Sequence, residues 1–305
     1  MPSSTPGSPI NEEERTVNVR SDSRWGTFWR SYRRNRLAVI AFWTLGGMVV
    51  LACLAPLIVP FDPHTVGVGR RFNTLSPRFL MGTDNLGRDV LSRVLMGART
   101  SLFVGFSAAA ASTLLGVIVG TLSGFFGGRI DSVLMRVTEL FQVIPRFFLA
   151  LLTVALFGAN IWNIIIAIGI LSWPVTARLV RSEFLSQRKR YFVDAARMQG
   201  ASSWNLIFVE ILPNVSGVII VNSTLMVAQA MLLEAGLSYL GVGDPTTVSW
   251  GVMLYQAQMF LNKAWWMSAF PGLGIFLSVL ALNLVGDGLN DVLNPRSQET
   301  KGLVL

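Results

Sequence analysis

The sequence predicts an all-α integral membrane protein with six transmembrane helices and both termini in the cytoplasm. Three observations carry that expectation. The 305-residue chain is 52% hydrophobic and only 14% charged, with a mean hydropathy of +0.53, a balance too apolar for an ordinary soluble domain. It contains several uncharged runs long enough to cross a bilayer core of about 30 Å. Its 25 Lys and Arg lie between those runs and not on one aromatic-studded module, so the net charge of +8 reads as membrane orientation and excludes a nucleic-acid role.

Residues 1–36 are rich in Pro and Ser, then acidic at Glu12 to Glu14, then rich in Arg. They hold no apolar run with a cleavage site, so they read as a cytoplasmic tail and not as a signal peptide. Span one is 37–60, flanked by Arg30, Arg33, Arg34 and Arg36. It contains Cys53, which as the single cysteine excludes an intrachain disulfide and is expected to be an inert packing residue. Residues 61–99 form a polar extracytoplasmic segment. Within it Val90, Leu91, Val94 and Leu95 have the spacing of an interfacial helix, with Arg88, Asp89, Ser92 and Arg93 on its wetter side. The lone His64 follows Phe61-Asp-Pro in a turn-like surface context, with no second His to share a metal.

Residues 100–290 read as the core that carries spans two to six. Span two lies within 100–128, where Ala108, Ser112, Gly116, Gly120 and Gly124 recur every four residues and form one small face for close helix packing. The uncharged stretch 147–177 is too long for one span and short for two. A hairpin resolves this: span three begins near Glu139 and includes Arg146, the turn is Gly158-Ala-Asn160, and span four runs from Ile161 to about Leu179. Arg146 is costly against lipid, so it either faces protein or a water-filled path, where it tunes the substrate, or snorkels to the interface. Span five lies between Val215 and about Ala235, with Glu234 near its end. Span six runs from the interface-seeking pair Trp265-Trp266 to Gly286, and 291–305 is a second cytoplasmic tail. With this topology seventeen Lys and Arg fall inside and seven outside; six of those seven, all arginines, stand in 61–99 as an exception softened by Asp62, Asp84 and Asp89.

Between spans four and five, about 181–213, lies a polar island. It reads as two short helices with a sharp corner. The first runs from about Arg181 to Gln199, and Gly200 suits the left-handed position that closes a helix. Ser202 or Ser203 caps the second, which Pro213 ends and whose apolar face is Trp204, Ile207, Phe208, Ile211 and Leu212, opposite Asn205 and Glu210. Shape alone leaves a plain surface loop and a docking element equally open.

The residue pattern of the island adds a resemblance. Asp194-Ala195-Ala196, then Gly200, then Leu212-Pro213 resembles the EAA signature of ABC-importer permeases, with Asp194 in place of the usual Glu and Glu210 where many members are apolar. Met81-Gly-Thr-Asp-Asn-Leu-Gly-Arg-Asp-Val-Leu-Ser-Arg93 with Gly97-Ala-Arg-Thr-Ser-Leu102 is similar to dipeptide and oligopeptide permeases of the DppC/OppC type. So are Leu237-Ser-Tyr-Leu-Gly-Val-Gly-Asp-Pro245 with Ser249-Trp-Gly251, and Asn283 to Asp291 with Asn294-Pro-Arg296. Arg146 departs from the resemblance, which leads one to expect an apolar residue there.

The resemblance implies a type I ABC-importer permease fold with a cytoplasmic coupling helix, in which Asp194, Ala195, Ala196, Gly200, Trp204, Leu212 and Pro213 dock on an ATPase subunit. It implies a multi-pass protein of the bacterial inner membrane that forms half of a path for di- or oligopeptides. The implied partners are a homologous second permease, two cytoplasmic ATPase domains and an extracytoplasmic solute-binding protein. Related importers for nickel or another small solute remain open as an alternative. So does an ion-coupled secondary transporter, which needs buried acids at midspan, whereas Glu139, Glu234 and Asp287 stand near span ends. There is no G-x-x-x-x-G-K-[ST] loop, no H-E-x-x-H and no Cys/His cluster, and lysines occur only at 189, 263 and 301. The chain is therefore expected to be no enzyme and to hold no cofactor or metal, with ATP and Mg used by the partner subunits.

Overall fold

The computed structural model describes residues 29, 30, 32, 33 and 35–293. Most of the tail 1–36, and the tail from 294 onward with Asn294-Pro-Arg296, lie outside the described residues. Helix α1, Arg36–Ile58, starts where the Asn35 side chain accepts the Ala38 N–H at 3.2 Å. Its buried face is made of Ala38, Ala41, Ala52 and Ala55, small enough to lie against the last helix of the chain, while Ile40, Trp43 and Leu57 are exposed. Cys53 is on the exposed side, not packed in the interior as its sequence context suggested. A one-face apolar pattern does not exist in an all-apolar helix, so the sequence could not say which side of α1 is covered.

Helix α2, Val90–Phe126, is 37 residues long, capped by Asp89, whose carboxylate accepts the Ser92 N–H at 2.8 Å, and closed by Gly127 at φ +67°. The expected interfacial helix is thus the first turns of α2, not a separate element. The small face of α2 lies against α5, Ile161–Gln187, which Asn160 caps. There is no room for side chains along this seam. A Cβ on Gly116 would stand 2.5 Å from Cβ of Thr176, and one on Gly120 would stand 2.5 Å from the carbonyl oxygen of Ala177.

Span three is a broken helix. Helix α3, Gly128–Val143, and α4, Arg146–Phe157, meet at 81° across Ile144 and Pro145, because proline lacks an N–H and disfavours a helical residue before it. After α5 comes the short α6, Tyr191–Met198, and then α7, Ser203–Val242, a 40-residue helix with π turns at Leu206–Ile211 and Ser238–Val242. A short α8, Trp250–Ala257, precedes α9, Trp266–Leu293. Among the described residues five helices are long and apolar enough to span a membrane, or up to six spans where the bent pair α3 and α4 counts as one. His64 is exposed, its N–H held by Asp62 at 2.7 Å.

The bundle has two polar ends. At one, α6 stands beside the start of α7, and α1 begins next to the end of α9, with Asn35 donating to Asp291 at 3.3 Å. At the other lie residues 61–89 and α8. The main core, with Met231, Trp250 and Leu282, joins α2, α7, α8 and α9; a second, with Val154, Ile168 and Leu237, joins α4, α5 and α7.

Candidate docking and translocation sites

Helix α6 is a separate short piece. The expected helix from Arg181 to Gln199 is interrupted at Arg188 to Arg190, so that α5 ends at Gln187 and α6 turns away from it. Val193 anchors α6, buried with Val180, Phe184, Leu206, Ile207, Ile211 and Val215, and the half-buried Ala196 packs against the same cluster. The remaining face is free: Tyr191 is 94% exposed and Met198 90%. Asp194 is exposed, as is Ala195, and Asp194 reaches only Arg197, at 3.3 Å; a pair this wet contributes little.

Gly200 has φ +82°. Its N–H bonds to the carbonyl of Arg197 at 3.0 Å, and the N–H of Ala201 bonds to that of Ala196 at 3.1 Å, so the end of α6 is a Schellman motif. A Cβ at Gly200 would meet nothing within 4 Å, so the requirement for glycine there is conformational and not steric. Ser202 caps the next helix through the Asn205 N–H at 3.3 Å.

Two expectations for that helix are overturned. Pro213 does not end it; it stands, exposed, near the start of the α-helical part of α7, where the preceding π turn already leaves the regular ladder irregular. The π turn also rotates the face. Leu206, Ile207 and Ile211 are buried and Leu212 is half-buried, whereas Trp204 and Phe208 stack on each other, 5.6 Å apart, and are exposed. A period of 3.6 cannot see an inserted residue.

Behind α6 lies a polar clamp. Arg181 donates to both oxygens of Asp131 at 2.5 and 2.6 Å, and Ser123 donates to the same carboxylate. Arg188 donates to the carbonyls of Gly124 and Phe125 at 3.3 and 3.0 Å, satisfying acceptors that the end of α2 leaves free. Spans two, three and four are thereby tied together next to α6.

At the other end, the supposed wet side of residues 88–93 is interior. Arg88 pairs with Asp84 at 2.6 Å, and Arg93, 3% exposed, reaches Asp84 at 3.5 Å. Both arginines donate to Oε1 of Gln256 on α8, at 3.0 and 2.9 Å. Glu234 is also buried: its Oε1 accepts from Ser238 and Ser249, each at 2.8 Å, while Oε2 has no partner among the described residues. Next to it, Trp250 donates its backbone N–H to Ser101 and its ring N–H to the carbonyl of Val94.

A cavity of about 510 Å³ opens at the break of span three, lined by Pro145, Arg146, Phe147, Ser172, Gln229, Leu232 and Leu233. Arg146 therefore faces a cavity, while Glu234 is not part of its wall. Ser172, half-buried, and Gln229, exposed on this chain, were missed in the sequence, although a Gln inside an apolar span is itself a signal of a position turned away from lipid. No group of three or more His, Cys, Asp or Glu able to hold a metal occurs among the described residues.

Residues 112–299 match the family model described as binding-protein-dependent transport system inner membrane component, and residues 23–77 match the N-terminal transmembrane domain of oligopeptide transport permease C. The chain is 40% identical over 278 residues to the di/tripeptide transport system permease protein DppC of Pseudomonas aeruginosa, which covers 88% of this chain and 91% of that protein. It is 35% identical over 292 residues to the dipeptide transport system permease protein DppC of Alkalihalophilus pseudofirmus, covering 95% of each.

Proposed function

This chain belongs to the family of binding-protein-dependent transport inner membrane components, and from that premise we propose that it forms half of the translocation path of an ATP-driven importer of di- or oligopeptides. It is a multi-pass ABC permease of the bacterial inner membrane that works with ATPase subunits and a substrate-binding protein. The finer reading is that a homologous second permease completes the path and that each permease serves one ATPase. Both termini and α6 face the cytoplasm, and the chain holds no cofactor of its own.

The observation that carries the docking part is the tip of the α6 corner. Tyr191 and Met198, on a short helix whose single buried residue is Val193, and Trp204 and Phe208, at the start of α7, leave apolar side chains uncovered. Solvated loop helices do not ordinarily concentrate such side chains, and a partner cleft removes that cost. Asp194, Ala195, Ala196 and Gly200 shape the knob, while Leu212 and Pro213 belong to the root of α7 behind it. Closure of the ATPase pair then moves the knob, and the bundle shifts between inward- and outward-open states.

The test is reconstitution. Purified alone, the chain neither hydrolyses ATP nor transports; with the second permease and both ATPases in vesicles, ATP-dependent uptake of a labelled tripeptide appears and rises when the loaded binding protein is added. ATP hydrolysis by the single chain, or uptake that continues without ATP, would overturn this reading.

A further inference from the structure

The cavity at the break of span three lies near the middle of the membrane, as three helices independently place it. Helix α4 carries Arg146 at its first position and ends at Phe157, next to the hairpin turn, so at 1.5 Å per residue Arg146 is about 18 Å in from that turn. Helix α5 leaves the same turn at Ile161 and reaches Ser172 after a similar depth. Helix α7 leaves helical geometry at Gly241, φ +87°, and Gln229 lies about 17 Å before that point. With an apolar core of about 30 Å, the three polar side chains of the cavity meet near its midplane.

At that depth the site is rich in donors and poor in acceptors. Arg146 forms no ion pair and no hydrogen bond among the described residues. Pro145 occupies the capping position at the start of α4, so the first backbone N–H groups of α4 have no capping side chain and its positive dipole end lies at the cavity. Gln142, just before the break, has its amide nitrogen buried without an acceptor. A guanidinium, an uncapped helix start and the amide of Gln229 around one cavity match an anionic acceptor with two oxygens. Snorkelling does not account for this placement, since the half-buried Arg146 lines an open cavity about as far from one face of the membrane as from the other.

We propose that Arg146 and the start of α4 form a carboxylate-binding station in the translocation path, which holds the carboxylate of a peptide in transit. Its volume of about 510 Å³ lies in the range of small-ligand sites, and Phe147, Leu232 and Leu233 supply apolar wall for side chains. Arg146 acts as a specificity residue: it selects passengers by their carboxylate and takes no part in ATP hydrolysis. The inference rests on the peptide reading above.

The experiment compares the wild-type complex with Arg146→Gln and Arg146→Lys in vesicles. Three labelled tripeptides are used, matched for affinity to the purified binding protein: one with a free C-terminus, one amidated with an acidic side chain, and one neutral and amidated. Arg146→Gln is expected to lower uptake of carboxylate-bearing peptides about tenfold, to leave the neutral amide and binding-protein-stimulated ATP hydrolysis unchanged, and to be partly rescued in Arg146→Lys. A loss confined to the free-terminus peptide identifies the α-carboxylate as the ligand; a loss confined to the acidic amide identifies a side-chain carboxylate. Equal loss for all three peptides would make Arg146 structural and overturn the station, and so would unchanged uptake of all three, the result expected if a carboxylate of the second permease neutralises Arg146. Wild-type vesicles that import no peptide at all would instead overturn the peptide reading itself.

Discussion

Gly200 shows how one residue sets the shape of the docking corner. Its φ of +82° is the mirror-image backbone conformation in which a β-branched side chain is strained by roughly 1–3 kcal/mol, although the surroundings leave it room. Gly200→Val is therefore expected to reach the membrane normally but to release the ATPases during purification, or to keep them without stimulated hydrolysis. Gly200→Asn should be milder, as Asn tolerates this conformation. A valine variant with an intact, fully stimulated complex would reduce the corner to an ordinary loop. Gly200 was legible in the sequence because its signal is local: a glycine after a helical stretch and before a serine cap. Arg93 was not legible, since its partner Gln256 lies 163 residues further on and only the fold brings them together. Phe208 was misassigned for a third reason, a π turn at Leu206–Ile211 that shifts side chains around the helix; Trp204 stands before that turn and stacks on Phe208 outside the buried cluster.

Among the helices, the seam between α2 and α5 was readable as a four-residue repeat of small residues, and the structure turns it into near-contact of backbones. Gly120→Val places a side chain 2.5 Å from the Ala177 carbonyl oxygen and 2.7 Å from Cβ of Val180, both on α5, so the helices must part; a loss of about 1–3 kcal/mol is expected. Gly47→Val, on the uncovered side of α1 with nothing within 4 Å of its Cβ, should stay within about 0.5 kcal/mol of the parent. Thermal unfolding in detergent, followed by size-exclusion chromatography, compares the two, and equal melting points would show that the seam yields freely. The break of span three was not read from the sequence, in which the span runs from near Glu139 through Arg146. Pro145 announces an interruption, but a bend of 81°, with a cavity beside it, depends on how α5 and α7 pack around the gap.

On the scale of the whole molecule, the number and order of spans follow from the lengths of apolar runs, so they were readable before any packing was known. Orientation rests on charge, and the structure sharpens that count. Of the six arginines in 61–99, Arg88 and Arg93 are taken up inside the protein by Asp84 and Gln256, which leaves fewer to oppose the excess on the other side. A cysteine at exposed Thr74, in a Cys53→Ser background, should therefore react with a membrane-impermeant thiol reagent in intact cells; reaction only after lysis would invert the topology. The seam then limits how such a molecule can move. Two helices locked glycine to backbone cannot roll about their own axes or ratchet past one another without collision, so α2 and α5 behave as a single strut. Arg181 fastens the foot of that strut to α3, and Arg188 fastens it to the connection that carries α6. The freedom that remains is concentrated at the elbow of Ile144 and Pro145 and at the loosened winding of Leu206–Ile211, which are the joints about which a rocking motion can turn.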